Sequence, residues 1–345
     1  MASPEDLHSK FLADNTDPRS LIVRVLVTAG RVGLSSTDVV EFLEESFGVF
    51  QKKSIDASWA WNKTELMQAL KELRSHKLVE QDKDGLYHLT QLGRLSGESG
   101  VEVESIIRVV DGLSGVSPAN ISGPTLITLT QITTELDQVV FPLNRKSTQK
   151  EPQTWMHEIS KQGVAAQIMR AISRSTIDAI QPTLRAKKAV ACLLYITDRL
   201  LTEIENTMTQ FGGRLNGAAG PIKNVTSRTC DILPTVASIA TLIYPNLDLN
   251  NRVQRLLARL ELGIPANLVE LGTRIGRISN WGNYLNLLKA GIETVEQFEN
   301  TRESVLLTCF ENNLEKLEQV KLALENYRTE NPPIITPSVL PLYED

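Results

Sequence analysis

The longest regular alternation of apolar and polar positions lies at 220–244, GPIKNVTSRTCDILPTVASIATLIY. Ile222, Val225, Ile232, Val236, Ile239 and Ile243 recur at helical spacing, with Thr229 filling the one gap. That pattern predicts a long helix with one buried face. Gly220-Pro221 is a helix start, because proline at the first position fixes φ and lacks only an N–H that would have no partner anyway. Pro234 falls inside the pattern and predicts a kink. The opposite face carries Lys223, Asn224, Ser227 and Arg228, side chains able to hold phosphates.

Before this helix, residues 1–17 are polar and predict a loose N-terminus. Residues 21–29 read as a compact buried helix closed by Gly30. Ser35 and Asp38 have the spacing of a capping box, opening a second helix through Phe47. A third helix spans about 64–76, with Leu66, Leu70 and Leu73 on one face. LVEQ and LYHL then flank Asp82-Lys83-Asp84-Gly85, a β-hairpin signal with glycine where positive φ is needed. Three helices followed by a hairpin is the winged-helix pattern. Its third helix and flanks mix Lys63, Lys71, Arg74 and Lys77 with Glu65 and Glu72, a mixed surface that suits packing on a neighbouring domain as well as a DNA groove. Trp59 and Trp61 just before it suit a core or an interface.

GESGVEVESIIRVVDGL leads into another amphipathic helix, and residues 121–143 predict one further helix with Leu126, Leu129, Ile132, Leu136 and Val140 on its apolar side. NRKSTQKEPQ at 144–153 reads as a polar connection. Helices are predicted at 165–180 and 184–207, the latter with Arg185, Lys187 and Lys188 at its start. FGGRLNGAAGP is then a glycine-rich turn without the GK[ST] ending of a P-loop.

After the long helix, Arg252, Arg255 and Arg259 form a basic row at helical spacing. LELGIPANLVELGTRIGRISNWGNYLNLLKAGIETVEQF follows as helix, short glycine-containing hairpin, helix, turn and helix, the hairpin centred on residues 275–278. Such a hairpin turns backbone N–H groups and basic side chains toward one phosphate without reading bases. Arg274 and Arg277 are the natural phosphate partners. Asn280, Trp281, Gly282 and Asn283 lengthen the hairpin, and Trp281 either stacks on a base or packs. From Asn331 onward a proline-rich segment predicts an extended tail.

Composition narrows the chemistry. The 345 residues carry 22% charged and 41% hydrophobic residues, ordinary globular values, and only 5% aromatics, so base-stacking platforms are few. The net charge of −5 is unevenly spread: residues 1–160 sum to −6, 161–260 to +7 and 261–345 to −6. The basic surplus coincides with the long helix, where short-range phosphate pairing uses it. Cys192, Cys230 and Cys309 lie far apart without metal-ligand spacing, predicting reduced thiols and neither metal nor disulfide. His8, His76, His88 and His157 are scattered, and no nucleophile–base pair is evident. No apolar run reaches membrane-spanning length and MASPEDLHSK lacks a signal peptide's apolar segment, so the expectation is a cytoplasmic protein with no membrane partner.

In order, LVEQDKDGLYHLTQLGR, GESGVEVESIIR, FGGRLNGAAGPIKNVTSRTCDILPTVASIA and LELGIPANLVELGTRIGRISNWGNYLNLLKAGI resemble the C-terminal half of the superfamily 2 DNA repair helicases. That family comprises the archaeal fork-processing enzymes, their bacterial relatives and the helicase part of DNA polymerase theta. The likeness covers roughly residues 18–325. It implies a mainly α fold: a winged helix at 18–98 with a small β-hairpin, a helical ratchet-like domain at 99–250, a helix-hairpin-helix domain at 251–328 and an extended tail at 329–345. In the family one long helix runs along the translocating strand and the hairpin domain clamps its far end. By position the 220–244 helix takes the first role, with Lys223 or Asn224 and Arg228 facing the strand. The family's stacking aromatic is missing there, the place falling near Asp231.

No GK[ST], no acidic box and no arginine-finger motif occur, so the family's ATP-hydrolysing motor is not in this sequence. The expectation is a DNA-binding accessory module for single-stranded or forked DNA, with no cofactor, serving a helicase motor subunit on another chain. Its DNA-binding set is Lys223, Asn224, Ser227, Arg228, Arg252, Arg255, Arg274, Arg277 and Trp281. A winged-helix transcription regulator and a protein-interaction scaffold derived from a helicase are the alternatives.

Overall fold

The computed structural model describes residues 17–143, 150–174, 178, 180–211 and 219–330. The expected loose N-terminus, most of the 144–153 connection, most of the glycine-rich turn and the proline-rich tail lie outside these residues. The fold is mainly α, and among the described residues the sheet structure is one two-stranded ladder. None of the described helices is long and apolar enough to cross a membrane. The chain divides into two compact units, residues 1–110 with 238–243, and residues 111–237 with 244–345.

In the first unit, α1 (Pro18–Ala29), α2 (Ser36–Glu44), α3 (Phe47–Ile55) and α4 (Lys63–Ser75) precede the hairpin β1 (Val79–Gln81) and β2 (Tyr87–Leu89). α5 (Gln91–Ser99) and α6 (Val103–Leu113) follow. The expected capping box forms, with the Ser35 hydroxyl accepting from the Asp38 N–H and the Asp38 carboxylate from the Ser35 N–H. Leu66, Leu70 and Leu73 are buried, as their spacing requires, and α4 packs on α1. The strands pair antiparallel with Val79 opposite Leu89, and Gly85 takes φ +85° in their turn. Leu34 adds a bridge to Tyr87. The second helix ends at Glu44, and a separate α3 that the apolar spacing did not reveal starts at Phe47 with Ser46 as its cap.

The second unit departs further from expectation. The single helix expected over 121–143 is two, α7 (Gly123–Thr130) and α8 (Thr134–Asp137). Threonine hydroxyls compete for the backbone there, Thr133 donating to the Thr130 carbonyl at 2.9 Å, and Val140 is exposed instead of buried. α9 (Lys150–Lys161) begins inside the segment read as a connection, and α10 (Ala166–Ser173) is shorter than expected. The 184–207 helix is split into α11 (Gln181–Tyr195) and α12 (Leu201–Thr209). α13 (Ala219–Ile243) runs unbroken through Pro234, which sits on its exposed side. α14 (Asn250–Leu262), α15 (Val269–Ile275), α16 (Trp281–Lys289), α17 (Val295–Glu299), α18 (Glu303–Cys309) and α19 (Leu314–Glu330) complete the unit. The last five share one core, from Ile264 through Tyr284, Phe298 and Phe310 to Leu324.

α11 organises the rest. The basic triplet placed by the sequence at a helix start is buried: Arg185, Lys187 and Lys188. Arg185 holds Asp137 bidentately, with Nε at 2.7 Å and the other fork nitrogen at 2.5 Å, and donates to the Ile172 and Arg174 carbonyls. Lys187 pairs with buried Glu151 at 2.5 Å and lies 5.2 Å from the Trp155 ring centre, while the indole N–H donates to the same carboxylate. Lys188 donates to the Leu136 carbonyl.

Burial pulls Lys188 down from the ordinary 10.5 to about 8, with the Asp137 charge opposing the shift. Because the folded value is the lower one, the native state bears the full cost of this charge below about pH 8, and the cost vanishes as pH rises toward 10.5. Lys188→Met should therefore gain most relative to wild type at neutral pH. Urea titrations should show that relative gain shrinking by about 3 kcal/mol between pH 7 and 10.5. A difference that does not change with pH would contradict the buried charge.

Candidate nucleic-acid interface

α13 buries the face its apolar spacing predicts: Ile222, Val225, Ile232, Val236 and Ile239 are all buried, and only Ile243 at the end is half-exposed. Thr229, the polar member of that stripe, is fully buried but satisfied. Its hydroxyl donates to the Val225 carbonyl at 2.7 Å and accepts from Gln131 Nε2 at 2.9 Å, with Cys192 Sγ at 3.5 Å. These contacts fix the rotation of α13 about its axis. Lys223, Asn224 and Ser227 consequently face solvent, with Arg228 half-exposed beside them. Spaced i, i+1, i+4 and i+5, they form one patch. No hydrogen bond or ion pair engages the Lys223 ammonium among the described residues. Arg228 pairs with Asp231 at 3.2 Å, their side chains 42% and 58% exposed.

The arginine row of α14 is not a free solvated face. Arg252 donates to the Ile121 carbonyl at 2.6 Å, Arg255 to Ala266 at 3.4 Å and Arg259 to Ile196 at 3.2 Å. These side chains tie α14 to the loops around it.

Between α15 and α16 the chain turns at Gly276, with φ +58°, and makes one 3-10 turn through Ile278. Asn280 then caps α16 in a reciprocal box with Asn283. Residues 281–283 thus belong to the helix and do not lengthen the hairpin. Tyr284 secures the turn by donating to the Gly276 carbonyl at 2.6 Å. Arg277 is 80% exposed and pairs with Glu261 at 2.8 Å. Arg274 is less accessible, held by Glu270 at 3.1 Å and lying 4.6 Å from the Tyr327 ring centre.

Trp281 stacks on Tyr195, with ring centres 6.4 Å apart and planes within 18°. Gly263, at φ +72°, lets both rings close in: a Cβ there would meet Tyr195 at 2.8 Å and Trp281 at 3.1 Å. Sequence reasoning did not find Tyr195 or Gly263, which lie far from Trp281 along the chain. The Glu270–Arg274 pair was also missed, although its i, i+4 spacing is a local signal that could have found it.

Burial pushes the Cys230 thiol up to about 12. Cys192 is likewise pushed up to about 12 by burial, so neither thiol is a ready nucleophile at neutral pH. The arrangement suits binding of an anionic chain.

Trp281→Ala should lower unfolding stability by about 2 kcal/mol, since half of a stacked pair is lost, while Trp281→Phe retains most of it. Thermal unfolding of the two variants checks this. Comparison with protein-family models and with curated proteins returns no match to the chain.

Proposed function

We propose that this chain binds single-stranded or forked DNA through the phosphate backbone, as the accessory module of a superfamily 2 DNA helicase whose motor is on another chain. The observation that carries this is the polar face of α13. Lys223, Asn224, Ser227 and Arg228 line it, and the Lys223 ammonium is unengaged among the described residues. The order of elements supports the family: helices and a hairpin as a winged helix, α13 as a ratchet-like strut, and α15, the Gly276 turn and α16 as a helix-hairpin-helix.

The ion pairs do not preclude phosphate binding. Exposed pairs such as Arg228–Asp231 and Arg277–Glu261 are worth about 0–1 kcal/mol, so a phosphate can take over either guanidinium. Arg274 and Trp281 fit a supporting role better than a contacting one, because each is packed against an aromatic ring. Contacts to phosphates alone make the binding sequence-tolerant. The same pairing favours a second reading, a protein-interaction scaffold: Arg228, Arg274 and Arg277 already hold carboxylates.

Fluorescence anisotropy with single-stranded, forked and duplex DNA across a salt series separates them. The expected result is a preference for single-stranded or forked DNA. Lys223→Ala/Arg228→Ala should reduce the salt slope by roughly 1.4, two single-strand contacts' worth. Binding that ignores salt and both substitutions would favour the scaffold, and preference for a defined duplex site would favour a transcription regulator.

A further inference from the structure

Four of the large exposed apolar residues of the first unit lie on the consecutive helices α2 and α3. Phe42 of α2 and Phe47 and Phe50 of α3 are 48%, 57% and 68% exposed, and Ile55 closes α3 at 85%. Phe47 and Phe50 stack with ring centres 6.3 Å apart. Leu43 and Val49 already supply the buried side of these helices, so the phenyl rings form a second, outward apolar face. Single exposed apolar side chains are ordinary, whereas a contiguous aromatic ridge marks an interaction surface.

The charges around the ridge are divided. Exposed Glu41 and Glu45 flank Phe42, and exposed Lys53 follows Phe50 by three residues on α3, with Lys52 beside it. The side chains of Glu45 and Lys53 have no hydrogen bond or ion pair among the described residues.

We propose that two copies of this chain associate through this face about a twofold axis. Antiparallel apposition of two α3 helices about an axis between Phe47 and Phe50 buries both rings of both copies. It also sets Glu45 of one copy opposite Lys53 of the other, twice. A face acidic at one end and basic at the other is self-complementary under that rotation. A partner of one charge sign would meet repulsion at one end. This pairing is independent of DNA binding.

Sedimentation velocity of the full chain over a micromolar concentration series tests it. Wild type should show a reversible monomer–dimer equilibrium, and Phe47→Ser/Phe50→Ser should be monomeric. Glu45→Lys and Lys53→Glu alone should each weaken association about tenfold, because each replaces two attractions by two repulsions. The double variant Glu45→Lys/Lys53→Glu should recover wild-type association. All four positions are exposed, so circular dichroism should be unchanged throughout. A wild-type monomer at every concentration would overturn the proposal, leaving the ridge for another protein. So would dimerisation equal in all variants, or a double variant that fails to recover.

Discussion

Three cations withdrawn from water on α11 constrain the second unit more than any apolar contact does. A buried charge is tolerated only beside fixed partners, and removing one partner costs about 3–5 kcal/mol. Arg185 requires Asp137 and two carbonyls, Lys187 requires Glu151 with Trp155, and Lys188 requires the Leu136 carbonyl. The ends of α8 and α10 and the first turn of α9 are thereby held to positions around one helix. α11 then offers Cys192 to Thr229, which also takes the Gln131 amide from α7. That small polar contact orients α13 with its apolar stripe inward, and the polar face that remains is the candidate interface.

The electrostatics of that interface are moderate by construction. Lys223 is unengaged among the described residues, while Arg228 and Arg277 are balanced by surface carboxylates that a phosphate can displace. On the proposed function, such a face would hold a strand without gripping it, with a strength that falls as salt rises. The absence of an aromatic near Asp231 removes base stacking, worth about 1–3 kcal/mol per base, from α13 itself.

Local signals were legible in the sequence and distant ones were not. The α13 stripe, the Ser35–Asp38 capping box, the α4 leucines and the Gly85 turn follow from periodicity and backbone chemistry within a few residues. The break between α7 and α8 was hidden because apolar spacing continues through it while threonine hydroxyls redirect the backbone. α9 was hidden because its polar start reads as a loop. The burial of Arg185 and Lys187 depends on acidic partners 48 and 36 residues away and that of Lys188 on a carbonyl 52 residues away, and local pattern carries no trace of them. Trp281 left two readings open from sequence, and only Tyr195, brought up by the fold, favours packing.

Amine footprinting of the unmodified chain tests most directly whether the α13 face meets nucleic acid. Single-stranded DNA should protect Lys223 from acetylation, with protection fading as salt rises, while exposed Lys161 and Lys289 react as before. Equal reactivity of Lys223 with and without DNA would contradict the assignment of this face to a strand.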